Sequence, residues 1–240
     1  MTEPTTTPMT EPTTTSMTEP TPPPGPRPTE FVLVRHGETV WHAENRYAGR
    51  ADVALTERGL RQAEELADWA RGRGIDAVVH SPLSRARLTA APAARVLATT
   101  PREDPRLYEI DFGQGEGLNL PEMAERFPER HAAFLRDPVT HHLPGGEDPR
   151  AAAARARACL EELHREFPGG RVLVVAHNAL FRVLLCELLG IEMSAYRRVF
   201  PVLDNGTLTE VRLGSYGAAL LRFNAEPVPA QPSGPRPAGP

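Results

Sequence analysis

Three times along this chain a short, uninterrupted apolar run gives way to a polar turn and then to a stretch with helical spacing. Residues 31–34 precede Arg35-His36-Gly37-Glu38-Thr39. Residues 77–79 precede His80-Ser81-Pro82-Leu83-Ser84-Arg85, and residues 172–176 precede His177-Asn178 and a long apolar helix-period segment. A strand with one wet face alternates polar and apolar residues, whereas a continuous apolar run needs cover on both faces. Such runs alternating with helices specify a sheet held between two helical layers. The expected fold class is α/β, a three-layer sandwich with a mostly parallel central sheet flanked by helices.

The remaining elements fit that frame. Residues 56–73 carry an apolar stripe through Leu60, Ala63, Leu66, Ala67 and Ala70, with Thr56 as N-cap and Gly72 and Gly74 near the end. Residues 147–167 read as an alanine-rich helix turning Leu160, Leu163 and Phe167 to the core. Residues 207–213 and 218–223 read as strands joined across 214–217. Proline marks the domain edges. Residues 1–28 hold nine of the 26 prolines and residues 225–240 hold six, against eleven in the 196 residues between. The first segment is also a repeat of period eight (MTEPTTTP, MTEPTTTS, MTEPTPPP) with too few apolar side chains to offset its ordering entropy. The expected organisation is a disordered Thr/Pro-rich tail over 1–28, one folded domain over 29–224 and a disordered Pro-rich tail over 225–240.

All 27 basic side chains are arginine, which removes every chemistry built on lysine, from a phosphate-binding loop lysine to a Schiff base. A net charge of -4 argues against a nucleic-acid or anionic-membrane surface. No apolar run reaches the roughly 18 to 20 residues of a membrane span, and the first thirty residues lack a signal pattern. Cys159 and Cys186 lie in apolar helical stretches and read as buried thiols of a reducing, cytoplasmic compartment.

In open α/β sheets, ligands bind beyond the carboxyl ends of the strands. The three strand-helix units would place Arg35, His36, Ser81, Arg85 and His177 there. Two arginines and two histidines at one sheet end suit a phosphoryl group, because guanidinium forks match its oxygens and an imidazole can attack phosphorus. Singly, each is an ordinary feature: a histidine at a strand end is more often structural, and an arginine on a helix usually faces water. Their co-occurrence, in order, carries the argument.

Leu33-Val34-Arg35-His36-Gly37-Glu38-Thr39 resembles the signature of the histidine phosphatase superfamily in its phosphoglycerate mutase-like branch. The resemblance continues through Gly49, Asp52, Leu55-Thr56, Gly59 and Gln62-Ala63, then Ser81-Pro82-Leu83-Ser84-Arg85-Ala86 with Thr89-Ala90. It resumes at Leu107, Glu109, Phe112-Gly113, Glu116-Gly117, Pro144-Gly145-Gly146-Glu147 and Val174-Val175-Ala176-His177, covering roughly residues 31–213. It implies a phosphomonoester phosphatase with a phosphoglycerate mutase-like fold. His36 would be the nucleophile forming a phosphohistidine, Arg35 and Arg85 would clamp the phosphoryl oxygens, and His177 would donate a further hydrogen bond. Glu109 would protonate the leaving oxygen and then activate water. Thr39, His42 and Asn178 would face the substrate. Two guanidiniums supply the charge that a metal gives elsewhere, so neither metal nor cofactor is implied. The expected partner is a small phosphorylated metabolite, with no nucleic acid and no membrane, and a homodimer is left open.

Three positions depart from the family: His42 stands where Asn is usual, Asn178 where Gly commonly follows the second histidine, and Gly115 where Trp often precedes Glu116-Gly117. Within the family the rival is a phosphoglycerate mutase. Mutases of this branch typically read Glu-Arg-His-Tyr-Gly at the proposed acid, whereas this chain reads Glu109-Ile110-Asp111-Phe112-Gly113. The cations that would grip a substrate carboxylate are missing there, and Asp111 is expected to repel one. The stretch between Gly117 and Gly145 is also short for a mutase. A non-catalytic phospho-ligand module is a third reading, opposed by the presence of all five catalytic groups. The pocket rim is expected from Phe112, Phe134, Arg136, His141, His142 and Leu143.

Overall fold

The computed structural model describes residues 26–228. Apart from residues 26–28 and 225–228, the tails expected over 1–28 and 225–240 lie outside the described residues. The strands are β1 (Thr29–Arg35), β2 (Ala77–His80), β3 (Arg102–Glu103), β4 (Arg171–Ala176), β5 (Leu208–Gly214) and β6 (Gly217–Ala225). The helices are α1 (Glu57–Ala70), α2 (Ser84–Val96), α3 (Leu120–Arg126), α4 (Pro128–Arg136), α5 (Pro149–Glu166), α6 (Asn178–Leu189) and α7 (Tyr196–Val199).

One six-stranded sheet runs in the order β3-β2-β4-β1-β5-β6. Three of its five pairings are parallel, and the antiparallel pairs belong to the β5–β6 hairpin laid along β1. The continuous apolar runs form the parallel centre, as their two-sided burial requires. Phe31, Leu33, Val79, Val172 and Val174 pack under α5 and α6. Their neighbours Val32, Val34, Val78, Leu173 and Val175 pack under α1 and α2. This period of two places every residue of the runs in one core or the other. Each such fully buried side chain contributes about 1.5–3 kcal/mol.

Local signals set the helix starts. Thr56 Oγ1 accepts from Gly59 N at 3.1 Å, and Asp148 Oδ1 accepts from Arg150 N at 2.8 Å behind Pro149. Leu160 and Leu163 are fully buried, and Phe167 packs half-buried beside them. The stripe expected on α1 needs one correction. Leu60 is 49% exposed, because the inward position of the first turn belongs to Gly59. A side chain at Gly59 would collide with the backbone oxygen of Glu38, and one at Gly37 would come within 2.5 Å of Gly59 O. That backbone-to-backbone contact turns Leu60 outward.

Residues between β3 and α5 form a lobe with its own small core of Leu118, Met123, Phe134 and Leu143. Phe134 and Leu143 therefore do not line a rim, as the sequence suggested; they are 3% and 2% exposed because they fill this lobe. Arg136, His141 and His142 are exposed, and Phe112 is half-buried against Tyr47.

Candidate active site

β1 and β4 end in register, Arg35 opposite Ala176, and His80 of β2 pairs with Val175. The next residues of the three strands, His36, His177 and Ser81, therefore leave the sheet at one edge. The ladder continues into them, with His36 N donating to Ala176 O and Ser81 N to Val175 O, each at 3.0 Å. The His36 and His177 ring centroids are 5.2 Å apart. The tight Gly37–Gly59 contact holds the chain beyond β1 close against α1.

His36 is 5% exposed, and its Nδ1 lies 2.8 Å from Gly37 O. A carbonyl only accepts, so Nδ1 carries the proton and Nε2 keeps its lone pair in the neutral ring. Burial first, then the charges of Arg85 and Arg35, hold the His36 pKa well below the ordinary imidazole value. The ring is neutral at pH 7.

Arg85, in the first turn of α2, is completely buried. Its Nη1 donates to Ala51 O at 2.7 Å, and its Nη2 donates to Ala48 O and Gly49 O at 3.1 and 2.9 Å. The Glu116 carboxylate accepts from the amides of Gly49 and Ala51, so it secures the loop that secures Arg85. Arg35 donates through Nη1 to Leu203 O and through Nη2 to His42 Nε2, both at 2.6 Å. Burial lowers the pKa of both guanidiniums, Arg35 to about 10, and both stay charged at neutral pH. The Nε atoms of Arg35 and Arg85 are buried without a partner among the described residues.

His177 is the fully buried N-cap residue of α6, and its Nε2 lies 2.7 Å from Ser81 Oγ. Leu83 N donates to the same oxygen at 3.4 Å. His177 Nδ1 too is buried without a partner among the described residues. Burial, followed by the charge of Arg85, depresses the His177 pKa well below normal.

Glu109 is 4% exposed on an irregular segment. Its carboxylate accepts from Ile110 N, Ala179 N and Leu180 N at 2.9–3.0 Å, two of which are first-turn amides of α6. Burial raises its pKa, with those three amides and Arg85 opposing. The segment is braced by Glu147, whose N donates to Asp111 O and whose carboxylate pairs with Arg155 at 2.7 Å.

Thr39 is buried, and its hydroxyl lies 2.8 Å from His42 Nδ1. Arg35 can only donate, so His42 Nε2 accepts from it, while Nδ1 packs against Thr39, 3.0 Å from its backbone N and 3.2 Å from its carbonyl O. Asn205 Nδ2 donates to His36 O at 2.9 Å from the other side. Asn178 opens α6 half-buried, with Oδ1 unpartnered among the described residues. The structure thus brings Arg35, His36, Arg85, Glu109 and His177 to one edge, with Thr39, His42 and Asn178 beside them. Sequence reasoning missed the supports: Asn205, the tie of Ser81 to His177 and the grip of Glu116 on residues 49–51. The Ser81 and Glu116 motif positions were visible, but their partners depend on tertiary packing.

Two buried guanidiniums with unpartnered Nε atoms, beside a neutral imidazole at one strand end, suit an α/β enzyme that handles phosphoryl groups. A family model, the histidine phosphatase superfamily (branch 1), matches residues 31–226, and the chain belongs to that family as a phosphomonoesterase-type hydrolase. It is 33% identical over 195 residues to phosphoserine phosphatase 1 of Hydrogenobacter thermophilus, covering 81% of this chain and 92% of that protein. A probable phosphoglycerate mutase of Cronobacter sakazakii is 34% identical over 170 residues, 71% of this chain and 79% of that one. Among solved structures, mycobacterial glucosyl-3-phosphoglycerate phosphatase matches with a TM-score of 0.76 at 27% identity, over 83% of this chain and 100% of that chain.

Proposed function

We propose that the chain hydrolyses monoesters of small phosphorylated metabolites in two steps through a phosphohistidine on His36. The observation that carries this reading is the bond from His36 Nδ1–H to Gly37 O, which fixes the free lone pair on Nε2. In the first step that lone pair attacks phosphorus while the ester P–O bond breaks. Arg35 Nε, Arg85 Nε and His177 Nδ1 serve the equatorial oxygens as charge spreads over them. Glu109, whose pKa burial raises, gives its proton to the departing alkoxide. In the second step the Glu109 carboxylate takes a proton from water, whose oxygen attacks phosphorus as the P–N bond breaks. Inorganic phosphate leaves and the enzyme is restored. Buried free thiols at Cys159 and Cys186 support a reducing, cytoplasmic setting.

Hydrolysis is preferred to mutase transfer because Glu109-Ile110-Asp111-Phe112-Gly113 offers no cation next to the acid. The test is steady-state release of inorganic phosphate from p-nitrophenyl phosphate and from alkyl phosphates. We expect turnover that survives chelation and is lost in His36→Ala. Full activity in that variant would remove the nucleophile assignment, and isomerisation of phosphoglycerate without phosphate release would replace hydrolysis by transfer.

A further inference from the structure

The half-buried imidazole of His42 anchors one arm of the Arg35 guanidinium. Arg35 ends β1 with both Nη atoms engaged. Nη1 donates to Leu203 O and Nη2 to His42 Nε2, each at 2.6 Å, and Nε is left without a partner among the described residues. Asn205 Nδ2 approaches the same His42 nitrogen at 3.3 Å while it donates to His36 O at 2.9 Å. His42 Nε2 therefore faces two groups that can only donate, and it must offer them a lone pair. The main chain beside them is fixed, since Gly206 N donates to Arg35 O at 2.9 Å. Leu203 O is a backbone acceptor that no change of pH alters. His42 is the acceptor that a proton can remove.

A proton on Nε2 would occupy that lone pair and set a cation against the guanidinium 2.6 Å away. Burial first, then the charge of Arg35 on β1, disfavour the imidazolium, and Arg85 on α2 adds to them more weakly. The Thr39 carbonyl and Glu38, both from the turn after β1, favour it, and Glu38 is shared with Arg58 of α1 at 3.5 Å. The neutral His36 ring lies 6.0 Å away between centroids, Asn205 brings no charge, and Asp204 beside it supports the charge on Arg35. The balance holds His42 below the ordinary imidazole value, whereas His36 and His177 are held well below it. As pH falls, His42 is the first of the three to take a proton.

We infer that His42 is a positioning residue, whose unprotonated Nε2 holds the Arg35 guanidinium in place for the phosphoryl group and releases it when the ring takes up a proton. This rests on the phosphatase reading above and adds a residue that acts through Arg35. The test compares kcat/KM on p-nitrophenyl phosphate for the full chain and for His42→Gln between pH 7.5 and 5. Taken as a ratio, the two profiles cancel the ionisation of the substrate and of groups common to both proteins. Glutamine can set an amide oxygen near the Nε2 position and takes no proton in this range. The ratio of variant to unaltered chain should rise by at least about fivefold toward pH 5. His42→Leu leaves Arg35 Nη2 without this acceptor and should lose about ten- to a hundredfold in kcat at pH 7.5, more than His42→Gln loses. A ratio that stays flat with pH overturns the proposal. So does a ratio that falls toward acid, which would make His42 a donor to the phosphate, and so does a glutamine variant no better than a folded leucine variant. Nitrogen-15 NMR of the histidine rings reads the same bond without turnover, and His42 Nε2 should be unprotonated at pH 7. A proton there overturns the proposal. No phosphate release from any ester by the unaltered chain overturns the phosphatase reading instead, and the nitrogen spectrum still reports on the bond from Arg35 to His42.

Discussion

The strand-end groups and the lobe beside them are held in different ways. Arg35, His36 and His177 stand on strand ends whose hydrogen-bond ladder continues into the turn, over a sheet buried on both faces. The lobe against which Phe112 packs has a core of four buried side chains. Small cores lose a large share of their stability with any one side chain, and local opening follows the weaker unit. The sheet end is therefore expected to hold its charges rigidly, and the lobe to open more readily. Glu109 is the joint, since it lies on the irregular segment while α6 amides hold its carboxylate.

The largest effect should come from that joint. Glu109→Gln keeps size and a donor but cannot transfer a proton, so phosphorylation by alkyl phosphates should slow by about 100- to 10,000-fold. p-Nitrophenyl phosphate, whose leaving group departs largely unaided, should slow far less. Equal losses on both would place the acid elsewhere. Next, Arg85→Gln should lower kcat by about 100- to 1,000-fold, because one aligned donor is lost and residues 48–51 lose their anchor. A rise in KM alone would contradict a fixed sheet end.

Met123→Ala tests the other side of the contrast. Removing a fully buried lobe side chain costs about 2–5 kcal/mol. The loss should appear as faster hydrogen exchange across residues 118–143 and a higher KM, with the sheet core still protected. Uniform loss of protection would show that lobe and sheet open together.

The smallest effect is a slope with pH. His36 and His177 are held neutral, with folded values below the ordinary value of about 6.5. Between 6.5 and those lower values the unfolded chain binds protons that the folded chain refuses. Stability is therefore complete above 6.5 and falls as pH drops through that window, by about 1.4 kcal/mol per pH unit for each group. Denaturant unfolding between pH 7 and 5 should show a shallower slope in His177→Asn. An unchanged slope would mean that His177 is not held neutral by the fold.

The two regions also differ in how far sequence discloses them. A strand end follows from local pattern, so Arg35, His36, Arg85 and His177 were legible from apolar runs and the turns after them. Glu109 has no periodic signal around it, and only the resemblance pointed to it. The burial of Arg182 was not legible, since a guanidinium on a helix reads as a solvated charge until α6 is packed. Leu60 was misread for a related reason. Apolar spacing counts side chains, while the steric demand at Gly59 that turns the helix comes from the strand-end turn at Gly37 and Glu38.

The central claim is that His36 Nε2 becomes phosphorylated during turnover. Rapid mixing with labelled substrate, followed by alkaline quench, reads this directly. The account predicts a labelled protein that is stable to alkali, loses its label in acid, forms no more slowly than turnover and is absent in His36→Ala. Label that resists acid, or that persists in His36→Ala, would contradict it.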